Sequence, residues 1–179
     1  MNGAQTIEPT VERIRVTFER NAKALALRPA FGQGTAVTRV RLREGLACEI
    51  EEGPWAFAVD MSEKSGGNNS APNPGVFGRA ALGSCLAIGY MQWAAKLGVP
   101  ISELEVEVQA DYDSRGMYGV NGQKPGYGEI RYVVRIASDA PHGDVLHVLN
   151  EADTHSDYLY VFREPQRVIR HVHIKAGGD

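Results

Sequence analysis

The stretch from Asn73 to Pro100 constrains the fold more than any other part of the chain. Asn73 and Pro74 supply an N-cap and a first helical residue, and Gly98 with Pro100 supplies a stop. The spacing therefore predicts a helix from Pro74 to about Leu97. Its apolar residues do not keep to one stripe: Val76, Phe77, Ala81, Leu82, Leu86, Ile88, Met91 and Trp93 go almost all the way round. A helix of that kind has to be buried on most sides. Gly78, Gly83, Ser84 and Gly89 leave room for another backbone to come close. A chain of 179 residues makes one domain with a sizeable core, yet it has little left over to wrap such a helix completely. A second copy of the chain is the natural cover. Arg79, Gln92 and Lys96 interrupt the apolar run, which leaves it too short to span a membrane.

The flanking segments supply the layers around this helix. Pro9 to about Leu25 reads as an amphipathic helix, with Val11, Ile14, Phe18 and Leu25 at roughly helical spacing, ended at Arg28-Pro29. The period then changes to two. Thr38, Val40 and Leu42 alternate with arginines, Leu46, Cys48 and Ile50 with Ala47, Glu49 and Glu51, and Trp55, Phe57 and Val59 with alanines. Glu44-Gly45 and Gly53-Pro54 turn the chain between them, so the expectation is a three-stranded antiparallel meander with one apolar face. Ser62 to Pro72 is a loop. Beyond the long helix, Leu104, Val106, Val108, Ala110 and Tyr112 alternate with acidic residues and Gln109 in a half-buried strand. A Gly-rich loop from Ser114 to Gly128 leads to a strand over Ile130–Ile136. A second helix follows at about His142 to Asp153, then a loop through Phe162 and Pro165, then a last strand from Val168 to Ile174. This is an α+β domain, helices on antiparallel sheets, in one unit from 1 to 179.

Charge and cysteine use narrow the function. A net charge of -3 argues against a general nucleic-acid binder, which carries a basic excess. Two cysteines, Cys48 and Cys85, make no secreted disulfide framework. Met1 to Glu8 lacks the basic-then-apolar pattern of a signal peptide, so a cytoplasmic protein is expected. Five histidines, at 142, 147, 155, 171 and 173, show no metal-ligand spacing, and neither a metal nor a cofactor is expected.

From Asn73 through Leu82-Gly83-Ser84-Cys85 to Leu97-Gly98-Val99-Pro100 and Leu104-Glu105-Val106, the sequence resembles the OsmC-like family of osmotically inducible and organic hydroperoxide resistance proteins. The order of elements from Val37 to Ile174 agrees, and the first helix lies outside the likeness. The resemblance implies an intertwined homodimer, with antiparallel sheets wrapped around two long central helices. It also implies a peroxidatic cysteine, which falls on Cys85, and a resolving cysteine, whose place is taken by Ser156. The glutamate of the hydroperoxide resistance branch falls on Gly75. An arginine partner is implied too, with Arg28, Arg39, Arg41 and Arg79 as candidates, and Arg79 placed nearly opposite Cys85 on its own helix.

The residues leave several readings open. Cys85 is either a reactive thiol, which needs access and a nearby positive charge, or a small buried hydrophobe. Cys48, on the apolar side of its strand, reads as a core residue. His155 is either a base or charge partner for the thiol or, with Ser156, part of a polar helix end. Tyr112, Tyr118, Tyr127 and Tyr132 either line an apolar pocket or serve the core. For the whole protein the first reading is reduction of an organic hydroperoxide, or another electrophile, by one cysteine with an external thiol as reductant. The others are a non-enzymatic binder of a small apolar ligand and a stress-associated dimer without turnover.

Overall fold

The computed structural model describes the backbone of residues 7–175 and the side chains of residues 10–175. Helix α1 (Ile7–Leu27) is followed by a 3-10 turn at Pro29–Gly32 and by strands β1 (Arg39–Leu42), β2 (Cys48–Glu52) and β3 (Trp55–Val59). Helix α2 (Pro74–Leu97) leads to β4 (Glu103–Tyr112), a short helix α3 (Ser114–Met117), and β5 (Tyr127–Ala137). Helices α4 (His142–Thr154) and α5 (Asp157–Arg163) complete it. The stretch before Ile7, on which the signal-peptide reading rests, lies outside the described residues. Among the described residues no helix is long and apolar enough to cross a membrane.

The long helix starts and stops as its sequence dictates. The Asn73 side chain accepts a hydrogen bond from the Gly75 N–H at 3.0 Å. Gly98 takes the left-handed conformation, φ 69°, that ends the helix. One side of α2 carries the core: Leu82, Leu86, Tyr90, Trp93 and Ala94 meet Val148 and Ala152 of α4 and Leu159 of α5. Each of the fully buried leucines, Leu82 and Leu86, contributes about 1.5–3 kcal/mol of burial free energy. The β4–β5 ribbon closes the core, because its two faces differ. Leu104 pairs with Ile136, Val106 with Val134 and Val108 with Tyr132 on the inner face. The outer face is charged: Arg135 pairs with Glu107 at 2.7 Å, and Arg131 with Asp111 and Glu129 at 2.6 Å each.

Two of the small residues on α2 serve this intrachain packing. A Cβ on Gly83 would stand 3.2 Å from Val108 of β4, and one on Gly89 would touch Ala152 of α4. Gly78 faces open space and Ser84 is exposed. The chain therefore covers one side of α2 and leaves the other bare, with Ile88 59 % exposed. Burial on most sides is not achieved within one chain.

The meander forms in the expected order β1-β2-β3, with Val40, Ile50 and Phe57 in register on one face and Arg39, Glu51 and Ala56 on the other. Its apolar face is open: Trp55 is 66 % and Phe57 48 % exposed. Phe57 reaches α2 through Phe77, edge to face at 6.3 Å. After β3 the chain is tied by Asp60. This buried carboxylate accepts hydrogen bonds from the N–H groups of Met61, Asn68 and Ser70 and from the Ser70 hydroxyl. Those donors hold it below the usual carboxylate range.

Four expectations change. The second strand begins at Cys48, because Leu46 lies in the turn closed by Gly45. The Gly-rich loop holds a helical turn at Ser114–Met117, capped by Asp113, and a 3-10 turn at Val120–Gly122. The loop through Phe162 is helix α5 instead, because Ser156 caps it. Val168 to Ile174 forms no strand, and Val168 is 89 % exposed. A strand needs a neighbour to take its hydrogen bonds, and this segment pairs with no strand among the described residues.

Candidate functional site at Cys85

Cys85 lies mid-helix in α2, half-buried, at the edge of the side that packs on α4 and α5. Its Sγ stands 3.5 Å from the Oγ of Ser156, 71 residues later in the chain. Ser156 sits there because α4 ends at Thr154 and the chain turns at once into α5. As the N-cap of α5, the buried Ser156 Oγ accepts a hydrogen bond from the Leu159 N–H at 3.3 Å. A hydroxyl has one proton to give, and a backbone N–H occupies one of its lone pairs. The Ser156 proton is therefore free to point at sulfur. A charged sulfur has no proton of its own, so Ser156 is then the donor of the pair.

His155 does not join them. Its ring stacks on Trp93, with centroids 4.7 Å apart, and its Nδ1 lies 2.7 Å from the Glu151 carbonyl oxygen. A carbonyl only accepts, so Nδ1 carries the proton. Lys96 stands over the same indole, its Nζ 3.6 Å from the ring centroid. The candidate arginines are not brought to Cys85 either. Arg39 and Arg41 lie on the charged face of the meander, where Arg41 pairs with Glu51. Arg28 lies over Phe31. Arg79 folds back over the first turn of α2 and donates to the Tyr127 hydroxyl at 3.5 Å. A side chain at Gly75 would come within 3.1 Å of the Arg79 Nη1. Cys48 is half-buried on the apolar side of the meander, in register with Leu42 and Val59, and its Sγ lies 3.8 Å from the Leu46 carbonyl oxygen.

A polar cluster that sequence reading did not assemble stands beside the pair. Asp153, in the last turn of α4, accepts from the Tyr90 hydroxyl at 2.7 Å and from the Tyr132 hydroxyl at 2.7 Å. The Arg163 guanidinium reaches the Tyr132 oxygen at 3.5 Å. Burial, reinforced by the hydrogen bond to Asp153, pushes the Tyr132 phenol up to about 12 and raises that of the fully buried Tyr90 further. Both remain donors at any physiological pH. One signal was available: an acid in the last turn of a helix opposes the helix dipole and needs a partner. The four tyrosines do not form one pocket. Tyr132 belongs to the core, whereas Tyr112 and Tyr127 flank a separate cleft of about 450 Å³ with Lys124 and Asp113.

A larger groove, about 790 Å³, runs between α1 and α2, lined by Ile14, Phe18, Leu25, Ile88, Met91 and Leu104 with Arg13 and Gln92 among the polar residues. Among the described residues no three histidine, cysteine or acidic side chains converge as a metal site would require.

Comparison with known proteins fits this architecture. No curated protein matches the chain. Among solved structures, it is similar to an OsmC-like protein from Mycoplasma pneumoniae, at 12 % identity over 73 % of this chain and 89 % of that one, with a TM-score of 0.62. An organic hydroperoxide resistance protein from Elizabethkingia anophelis matches at 14 % identity over 73 % and 89 %, TM-score 0.56. An organic hydroperoxide resistance protein OsmC from Legionella pneumophila matches at 12 % over 73 % and 90 %, TM-score 0.53. At such identities the likeness is one of fold. The family model for OsmC-like protein matches residues 67–169, more than half of the sequence, and the chain accordingly belongs to the OsmC-like protein family.

Proposed function

We propose that the protein is a one-cysteine thiol peroxidase, a cytoplasmic homodimer formed by the whole chain 1–179, that reduces organic hydroperoxides at Cys85. The observation that carries the reading is the Ser156 hydroxyl 3.5 Å from the Cys85 sulfur, with its proton free to donate. A thiolate attack moves charge from sulfur to the departing oxygen, and a donor held beside the sulfur favours the thiolate that begins it. In the reaction the sulfur attacks the outer peroxide oxygen, the O–O bond breaks, and the alkoxide leaves with a proton as the alcohol. Cys85 is left as a sulfenic acid. An external thiol then displaces water to form a mixed disulfide, and a second releases Cys85 as thiol. Ser156 cannot form a disulfide, so the reductant has to come from outside.

The dimer reading rests on surface. The open meander face with Trp55 and Phe57, the bare side of α2 with Ile88, and the unpaired segment 168–174 are apolar surfaces that a second copy would cover. That copy would also have to supply the positive charge a reactive thiolate calls for, since none of Arg28, Arg39, Arg41 and Arg79 contacts Cys85 within the chain.

The test is turnover: consumption of an alkyl hydroperoxide with a dithiol as reductant, in the full-length protein and in Cys85→Ser. Catalytic consumption that disappears in the variant supports the reading; equal rates in both sink it. The groove between α1 and α2 favours a second reading, a binder of a small apolar ligand. That reading predicts saturable ligand binding that survives Cys85→Ser.

A further inference from the structure

We infer that Asp153, gripped by Tyr90 and Tyr132, is the positioning residue that sets Ser156 against Cys85. The inference rests on the reading of Cys85 as the reacting thiol. Its basis is that one helix holds both ends of a short corner. Tyr90 and Cys85 are both on α2, and five residues of helix advance about 7.5 Å along the axis. Asp153 and Ser156 are three residues apart, and three residues of chain reach at most about 10 Å. Tyr90 fixes the first of these and Cys85 meets the second. The corner between them has little slack.

Other contacts brace the same corner. Tyr132 comes from β5 and takes the second Asp153 oxygen, so that α2, β5 and α4 meet at one carboxylate. His155, inside the corner, stacks on Trp93 of α2. Gly89 lies over Ala152, whose Cβ a side chain there would meet at an ordinary contact distance of 3.9 Å. With the carboxylate released, Thr154 to Ser156 would be free to follow α5 and not α2, and the Ser156 hydroxyl would leave the sulfur. Asp153 does not touch the thiol in this scheme and acts only through Ser156.

The experiment is a double-mutant cycle in a Cys48→Ser background with Ser156→Ala, Asp153→Asn and Tyr132→Phe. The second-order rate of Cys85 with cumene hydroperoxide and, separately, with iodoacetamide is read beside Tm. Ser156→Ala is expected to slow Cys85 about tenfold or more, the worth of one hydrogen bond to a charged group, and Asp153→Asn at least about threefold. The decisive arm is Asp153→Asn placed on Ser156→Ala, where no further slowing is expected because the two act as one unit. Tyr132→Phe repeats the cycle should Asp153→Asn fold poorly. Slowing that multiplies independently of Ser156, or a fall in Tm with unchanged rates, overturns the inference. Iodoacetamide needs only the thiolate. A wild-type Cys85 inert to hydroperoxide would therefore end the peroxidase reading, while the positioning role would still be decided by alkylation.

Discussion

Replacing Ser156 by cysteine, in a Cys48→Ser background, would set a second thiol against Cys85 and make the hydrogen-bonded pair able to close. The two γ atoms already stand 3.5 Å apart across 71 residues of sequence. Sulfur reaches further from its Cβ than oxygen, and a modest χ1 change supplies the rest. Closing a loop of that length removes about 15 cal/mol/K from the unfolded chain, about 4 kcal/mol at room temperature in the chain-entropy treatment. Loss of the serine cap on α5 returns about 1 kcal/mol. For a chain of this size each kcal/mol moves Tm by about 2–4 °C, so the oxidised variant should melt about 8–16 °C above its reduced form, which lacks the cap as well, and about 6–12 °C above the parent. The assay treats the variant with one equivalent of alkyl hydroperoxide. Non-reducing mass spectrometry then looks for an intrachain disulfide, and calorimetry is run with and without reductant. If the thiols are consumed but yield only over-oxidised sulfur or disulfides between chains, residues 85 and 156 do not face each other in solution, and the reasoning fails.

Other consequences are simpler to check. A Cβ at Gly67 would lie 2.1 Å from the Met61 carbonyl oxygen, inside the loop tied by Asp60. Gly67→Ala should therefore cost about 1–3 kcal/mol in urea denaturation, and an unchanged midpoint would argue against that loop geometry. The Tyr132 phenol, raised to about 12 from an ordinary value near 10, is held protonated by the fold. Its contribution is complete below pH ~10 and is lost as pH rises toward ~12. Tyr132→Phe should flatten that alkaline fall in stability, and an identical fall in both proteins would refute the assignment. Phe57→Glu puts a charge on the open face of the meander, and sedimentation should show a dimer for the parent protein and a monomer for the variant. An unaltered dimer would exclude that face from the interface.

Local signals in the sequence carried most of the fold. Alternation over Glu103–Tyr112 foretold a strand with one dry and one wet face, and Asn73, Pro74 and Gly98 bracketed α2. What local signals could not show was which chain supplies a contact. Gly83 and Gly89 read as room for a second backbone, yet they admit Val108 and Ala152 of the same chain. The segment Val168–Ile174 has strand composition, but pairing is a property of the neighbour. The site divides in the same way. Ser156 was placed opposite Cys85 by resemblance, and the structure sets the two side by side. The Tyr90–Asp153–Tyr132 cluster joins residues 63 and 21 positions apart, too far for a local pattern to link. Of the two readings of His155, the geometry is that of the helix end: it follows the last residue of α4, and its ring stacks on the Trp93 indole of α2.

The most direct test of the central claim is stopped-flow loss of thiol on mixing with an alkyl hydroperoxide, compared between Cys48→Ser, which retains Cys85, and Cys85→Ser, which retains Cys48. The account predicts that Cys48→Ser loses its thiol much faster than free cysteine at the same pH, while Cys85→Ser does not. If Cys48→Ser reacts no faster than free cysteine, Cys85 is not a peroxidatic thiol.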